Sequence, residues 1–163
     1  MPQDRYAHER GDPAVPQCGR SAVQIVFDGR TLVLRGGKEQ QSWPAVSGRP
    51  DGRGNFDYSR ERQRLGGEGP IPAGEYWINP TELWERSWYR FDQSAPWGDY
   101  RITLHVMPAT VTHGRGGFFI HGGSTAGSAG CIDLTHAMGG FVDRLKAMIG
   151  PSPNCFVQVT VRY

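Results

Sequence analysis

The stretch that most constrains this chain runs from Phe118 to Leu134. Phe118-Phe119-Ile120 delivers His121, every residue from Gly122 to Gly130 is Gly, Ser, Thr or Ala, and Cys131-Ile132-Asp133-Leu134 opens the next segment. No bulky side chain in that loop can shield either reactive group. Gly122, Gly123, Gly127 and Gly130 make it sterically able to fold back on itself, which is what His121 and Cys131 need if they are to meet. A free cysteine near pKa 8.5 is only a few per cent thiolate at pH 7. An imidazole that accepts its proton would make Cys131 a nucleophile, and a helix N-terminus just beyond it would favour the anion. Gly130 leaves the N–H groups at 130 and 131 unshielded, where they can serve as oxyanion donors in an acyl transfer. The competing reading is a Gly-Ser surface loop that ends in a buried cysteine packed as a small hydrophobe.

Three other sites use nearby residues. Ala126-Gly127-Ser128-Ala129-Gly130 approaches the nucleophile elbow of serine hydrolases, but Asp133 or Asp143 and His136 stand too close in sequence to complete that triad. His113, His121, Cys131 and His136 match no compact zinc-ligand spacing. A phosphate-binding loop needs Lys after its glycines, and Cys131 stands there. No metal and no cofactor is expected.

The rest of the chain reads mainly as strand. Ala22 to Phe27 and Thr31 to Leu34 flank Asp28-Gly29, a strong hairpin signal. Trp43 to Gly48 predicts a short strand that Pro44 confines to an edge or an irregular start. Residues 49–69 are polar and rich in arginine and glycine, and read as a solvated insertion. Gly69-Pro70-Ile71-Pro72-Ala73-Gly74 stiffens the entry to a strand at Glu75 to Ile78. The aromatic cluster of Trp84, Trp88, Tyr89, Phe91 and Trp97 reads as core or a packed loop before it reads as a substrate groove. Tyr100 to Met107 predicts one strand, with His105 structural. After Cys131 the period changes: Met138, Phe141, Val142, Leu145, Met148 and Ile149 predict a helix capped by Asp133 or Thr135 and ended by Gly150-Pro151. Gly139-Gly140 weakens its first turn. Cys155 to Tyr163 alternates as a closing strand.

Length and composition agree with one β-rich domain over residues 21–163 behind a flexible arm of residues 1–20. The chain has 163 residues, and its Gly 23 and Pro 12 together make about a fifth of it. A net charge of +2 without a basic cluster argues against nucleic acid, and no run of residues approaches a membrane span. The polar start, broken by Pro2, Pro13 and Pro16, lacks the apolar core of a secretory signal, so synthesis in the cytoplasm is expected. Cys18, Cys131 and Cys155 fit one reactive thiol with either two further free thiols or a Cys18–Cys155 disulfide in an oxidising compartment.

His121-Gly122, then small residues, then Ser128-Ala129-Gly130-Cys131-Ile132 resembles the active-site signature of L,D-transpeptidases. Ala45-Val46-Ser47-Gly48 and Gly69-Pro70-Ile71-Pro72-Ala73-Gly74-Glu75-Tyr76 resemble two further segments of that family, in matching order. The sequence departs from it at Ala129, where the family has a second histidine, and at Asp133, where Arg is common. The form of the motif is most similar to a divergent branch of antibacterial effectors delivered by type VI secretion.

The resemblance implies a mainly β, L,D-transpeptidase-like sandwich or barrel with one α-helix after the cysteine. It implies Cys131 as nucleophile, His121 as base, Gly130 at the oxyanion site, and Ser128 and Gly122 in contact with substrate. It further implies peptidoglycan stem peptides as substrate, a cognate immunity protein and a secretion apparatus as partners, and action in the periplasm of a target cell. Another cell-wall cysteine peptidase or amidase and a non-enzymatic wall-binding module stand as alternatives.

Overall fold

The computed structural model describes residues 7–85, 100–150 and 155–163. Asp28 sets the first corner: its Oδ1 accepts the N–H groups of Arg30 and Thr31 at 2.9 and 2.8 Å, an Asx turn that releases the chain into an antiparallel hairpin. The two arms are β1 (Arg20–Phe27) and β2 (Thr31–Gly36). They belong to a sheet of order β3-β2-β1-β11-β5-β8, with β3 (Glu39–Pro44), β5 (Gly74–Ile78), β8 (His105–Val106) and β11 (Phe156–Val161). Pro44, which has no N–H to give a neighbour, ends the edge strand β3. β11 lies between β1, to which it is parallel, and β5, so the closing strand of the sequence is central in the sheet.

A second sheet has the order β4-β10-β9-β7-β6, built from β4 (Val46–Ser47), β6 (Trp84–Glu85), β7 (Tyr100–Thr103), β9 (Phe119–His121) and β10 (Ile132–Asp133). Alternation decides what goes inside. Ile25, Phe27, Leu32, Leu34, Val157 and Val159 of the first sheet share one apolar core with Ile102, Ile120 and Ile132 of the second. The long helix α3 (Met138–Ile149) adds Met138, Phe141, Val142 and Leu145 to that core. The fold is therefore mainly β, with two mixed sheets and one long helix after Cys131, as expected.

The details differ in three places. Residues 100–107 are two strands that belong to different sheets, because the chain crosses at Leu104, whose N–H donates to Phe118 O at 2.9 Å. Residues 49–69 are pinned down: Ser59 caps a one-turn helix α2 (Arg60–Gln63), and Tyr58 Oη accepts the N–H of Ser47 at 3.1 Å. Asp133 Oδ1 accepts the N–H of Thr135 at 2.8 Å, but that bond starts a 3-10 turn (Thr135–Ala137), and α3 begins behind Ala137 with no side-chain cap. Cys131 consequently does not stand at the helix N-cap: β10 and this turn lie between them along the chain. Trp88, Tyr89, Phe91 and Trp97 lie outside the described residues.

The N-terminal segment is described from a one-turn helix α1 (Ala7–Arg10) onward. Ala14 N–H donates to Val106 O at 2.9 Å, and Trp77 Nε1 donates to Ala14 O at 2.8 Å. Gly117 N–H donates to His8 O at 2.6 Å, beside the loop that approaches Cys131. A Cβ at Gly11 would stand 1.9 Å from Arg115 O, so this crossing requires glycine.

Candidate active site

One rung crosses the whole second sheet. Val46 pairs with Asp133, Asp133 with His121, His121 with Arg101, and Arg101 with Trp84. Directly paired residues project to the same face, so a carboxylate, an imidazole and a guanidinium stand side by side. The next rung, Ser47, Ile132, Ile120 and Ile102, is buried on the opposite face. Cys131 immediately precedes Ile132, so it stands at the entry to the strand that pairs with β9, next to the rung that holds His121 and Asp133. Sequence separation said nothing of this; the parallel pairing of β9 and β10 produces it.

His121 is 3% exposed, and its Nδ1 lies 2.7 Å from Gly122 O. A carbonyl cannot donate, so Nδ1 carries the proton. Asp133 Oδ1, 3.9 Å from the same nitrogen, reinforces that choice. The basic lone pair is then on Nε2, which is buried and has no hydrogen-bond partner among the described residues. Asp133 is itself held by Gly127 N–H on Oδ2 at 3.1 Å and by Thr135 N–H on Oδ1.

Cys131 is 7% exposed, and its thiol donates to Gly117 O at 3.7 Å. Burial pushes the thiol up to about 11, and the charge of Asp133 pushes the same way. The Phe119 N–H and the charges of Arg101 and Arg115 act in the opposite sense and are outweighed. Cys131 therefore rests as a neutral thiol turned toward a carbonyl. An attack by this sulfur needs its proton removed as the bond forms, by a base held nearby, rather than a thiolate prepared in advance.

The remaining candidates occupy defined places. Gly130 has φ +100°, and a Cβ there would stand 2.7 Å from Arg115 Nη2 and 3.4 Å from Phe118. Ser128 Oγ donates to Cys131 O at 2.7 Å, and its N–H donates to Gly48 O at 3.0 Å, so this side chain holds the turn before Cys131. Gly122 lets the end of β9 approach the turn before α3: a Cβ would lie 2.7 Å from both Met138 Cβ and Thr135 O. His105 stacks on Trp77 and bonds Glu82 at 2.7 Å, away from the rung.

Three residues of this site carried no local motif. Arg101 lies between Trp84 and Phe119, 5.3 Å from each ring centre. Arg115 is buried and donates to Gln63 O, Pro70 O and Gly69 O at 2.5, 2.7 and 2.8 Å. Asp133 was visible as a helix-cap candidate, as an acid too close in sequence for a serine triad and as a departure from a family pattern, but not as a partner of His121. Arg101 and Arg115 sit in polar surroundings that resemble ordinary strand and turn sequence, and only strand register reveals the first.

The domain is mainly β, and a loop of small residues joins His121, at the end of β9, to Cys131, just before β10. The family L,D-transpeptidase catalytic domain (YkuD) matches residues 22–147, and the chain belongs to it. The match covers both sheets except β11 and the first two residues of β1, and it contains every residue of the rung. Comparison with curated proteins gave no match. L,D-transpeptidase activity on peptidoglycan is the general chemistry of this family. Among the described residues no helix is long and apolar enough to cross a membrane.

Proposed function

We propose that this domain transfers the acyl group of a peptidoglycan tetrapeptide stem through a Cys131 thioester. Cys131 Sγ attacks the carbonyl carbon of the third residue, a diamino acid, as its proton passes to His121 Nε2. The N–H groups of Gly130 and Cys131 hold the developing oxyanion. The intermediate collapses by breaking the peptide bond, and the departing D-alanine amine takes the proton from His121. Water then releases a tripeptide, which is L,D-carboxypeptidase action; a D-amino acid or a second stem gives exchange or a cross-link. The observation that carries this reading is the buried Nε2 of His121, which has no hydrogen-bond partner among the described residues, at the end of the strand that pairs with the one Cys131 immediately precedes. Gly122 supports it by fixing the tautomer through its carbonyl, and Ser128 by holding the carbonyl of Cys131.

The form of residues 118–132 further supports a role as an antibacterial effector that acts in the periplasm of a target cell, with an immunity protein in the producer. Purified protein incubated with tetrapeptide muropeptides tests the chemistry: tripeptide in water and an exchanged stem in excess D-amino acid are expected. Unchanged tetrapeptide in both would sink it. Directing the domain to the periplasm and to the cytoplasm of a susceptible bacterium tests the effector role, with lysis expected only from the periplasm.

A further inference from the structure

We propose that residues 8–14 form an intramolecular strap that keeps Cys131 latent by fixing Gly117, the residue whose carbonyl takes up the thiol. The strap lies outside residues 22–147, so the matched family domain does not include it. The inference rests on Cys131 as the reactive thiol of the acyl transfer proposed above. A thiol has one proton to donate. Cys131 Sγ donates it to Gly117 O at 3.7 Å, while His121 Nε2 has no hydrogen-bond partner among the described residues. The resting nucleophile is therefore engaged with a carbonyl and not with its base. A hydrogen bond made by the neutral form disfavours the charged one, so the S–H must leave Gly117 O before its proton can pass to Nε2.

The strap grips the loop that carries this carbonyl at several points. Gly117 N–H donates to His8 O at 2.6 Å. A Cβ at Gly11 would stand 1.9 Å from Arg115 O, and one at Gly116 would stand 2.1 Å from Gly11 N and 2.3 Å from Glu9 O. The two backbones are thus in direct contact. The His8 ring meets Phe119 edge to face, with ring centres 5.8 Å apart. Phe119 supplies the other backbone group that acts on the thiol, its N–H, so His8 holds both residues whose backbone engages Cys131. The far end of the strap is anchored on β8 and β5, where Ala14 N–H donates to Val106 O at 2.9 Å and Trp77 Nε1 donates to Ala14 O at 2.8 Å. None of the described residues 8–14 belongs to the apolar core. Segments held by few buried apolar contacts open at low local cost, which is what a releasable restraint requires.

The test lifts the strap in the full chain. Gly11→Ala places a methyl group against Arg115 O; Gly37→Ala, at another left-handed glycine (φ +59°) whose Cβ would meet nothing within 4 Å, matches the backbone strain without the contact. Iodoacetamide labelling of Cys131 at pH 8 is read by peptide mapping, and NMR hydrogen exchange of the Gly117 amide reports whether the strap has opened. In Gly11→Ala that amide should exchange faster. Cys131 should label about 3-fold to 10-fold faster, the worth of about one hydrogen bond, and turnover of tetrapeptide should rise with it. Gly37→Ala should match wild type in all three. Faster exchange at Gly117 without faster labelling overturns the inference, and so does faster labelling with slower turnover, which would make the strap a support. Equal acceleration in Gly37→Ala, the mark of general loosening, overturns it too. If Gly11→Ala does not fold, Trp77→Phe, which removes the N–H on Ala14 O, gives the same readouts from the other end. A Gly117 amide that stays protected in both variants means that the strap does not hold this residue, and the inference falls. Tetrapeptide left intact by wild type and variants alike refutes the acyl transfer, while the labelling rates still decide whether the strap restrains the thiol.

Discussion

The resting state of Cys131 decides how the proposed chemistry starts, and the pH dependence of its alkylation reads that state. Burial and the Asp133 charge hold the thiol up at about 11, against about 8.5 for a free cysteine. At pH 7.5 roughly 9% of a free thiol is ionised, and roughly 0.03% of Cys131, a ratio of about 300. Iodoacetamide should therefore label Cys131 about 300-fold more slowly than a model thiol at that pH. The rate should climb about tenfold per pH unit and show no plateau below about pH 10. Peptide mapping by mass spectrometry separates Cys131 from Cys18 and Cys155, which are both more exposed. A plateau near pH 8, or labelling that persists at pH 5, would indicate a preformed thiolate–imidazolium pair and refute the general-base start. Stability has the same origin. The folded thiol keeps its proton after the unfolded one has lost it, so its contribution is complete below about pH 8.5 and declines as pH rises toward about 11. That loss amounts to about 3 kcal/mol. Denaturation midpoints of wild type and Cys131→Ala, compared between pH 7 and pH 10, should converge as pH rises.

Other perturbations follow from the same geometry. Asp133→Asn removes a charge that opposes the thiolate and replaces an acceptor with an amide that offers one oxygen to two N–H donors; alkylation of Cys131 should shift to lower pH while turnover on tetrapeptide falls at least tenfold. Gly122→Ala puts a methyl group 2.7 Å from Met138 Cβ and Thr135 O, and should cost about 1–3 kcal/mol in a urea titration. Arg115→Met strands three buried carbonyls that the guanidinium now satisfies, and should cost about 3 kcal/mol or more in the same assay. Cys18 and Cys155 lie near enough for Cys155 to act on the Cys18 thiol, next to the point where Phe156 N–H donates to Gly19 O at 3.2 Å. Oxidised glutathione should therefore convert them to one disulfide, releasing two glutathione thiols and leaving only Cys131 free; a bridge that includes Cys131 would contradict this pairing.

Much of the fold could be read from local pattern because its causes are local. The Asp28 turn, the alternation of Val157, Val159 and Val161, and the spacing of Phe141, Val142 and Leu145 each follow from one residue type or one period. The break at Leu104 was not legible. Residues 100–107 keep strand character on both sides of it, and only the two sheets that receive them differ. The cysteine and the histidine were legible as candidates, since few residue types perform that chemistry. Their neighbours were not: Arg101 belongs to the site through pairing with β9, and Arg115 through contacts with carbonyls that lie far away in the chain. Register and tertiary hydrogen bonds are long-range facts, and no short window contains them.

The composition of the loop between His121 and Cys131 takes on a different cause in this light. Lack of shielding is one consequence of small residues, but the topology asks for them first. β9 and β10 are parallel neighbours, and parallel strands ordinarily need a crossover of a dozen or more residues, usually with a helix. Here residues 122–131 must return the chain to the same end of the sheet. They do so by tight contacts: a Cβ at Gly127, where φ is +119°, would lie 2.9 Å from Pro50 Cδ, and Gly122 closes against Met138. The return also sets the phase of the site. A slip of β10 by one residue would turn Asp133 into the core and Ile132 out of it. Ile132, paired with Ile120 and fully buried, opposes that slip, as does the buried Ser47, whose Oγ accepts the N–H of Ile71 at 2.8 Å. The apolar rung behind the sheet thus holds the polar rung in front of it in register, and a polar substitution at Ile132 should damage activity without touching a reacting group.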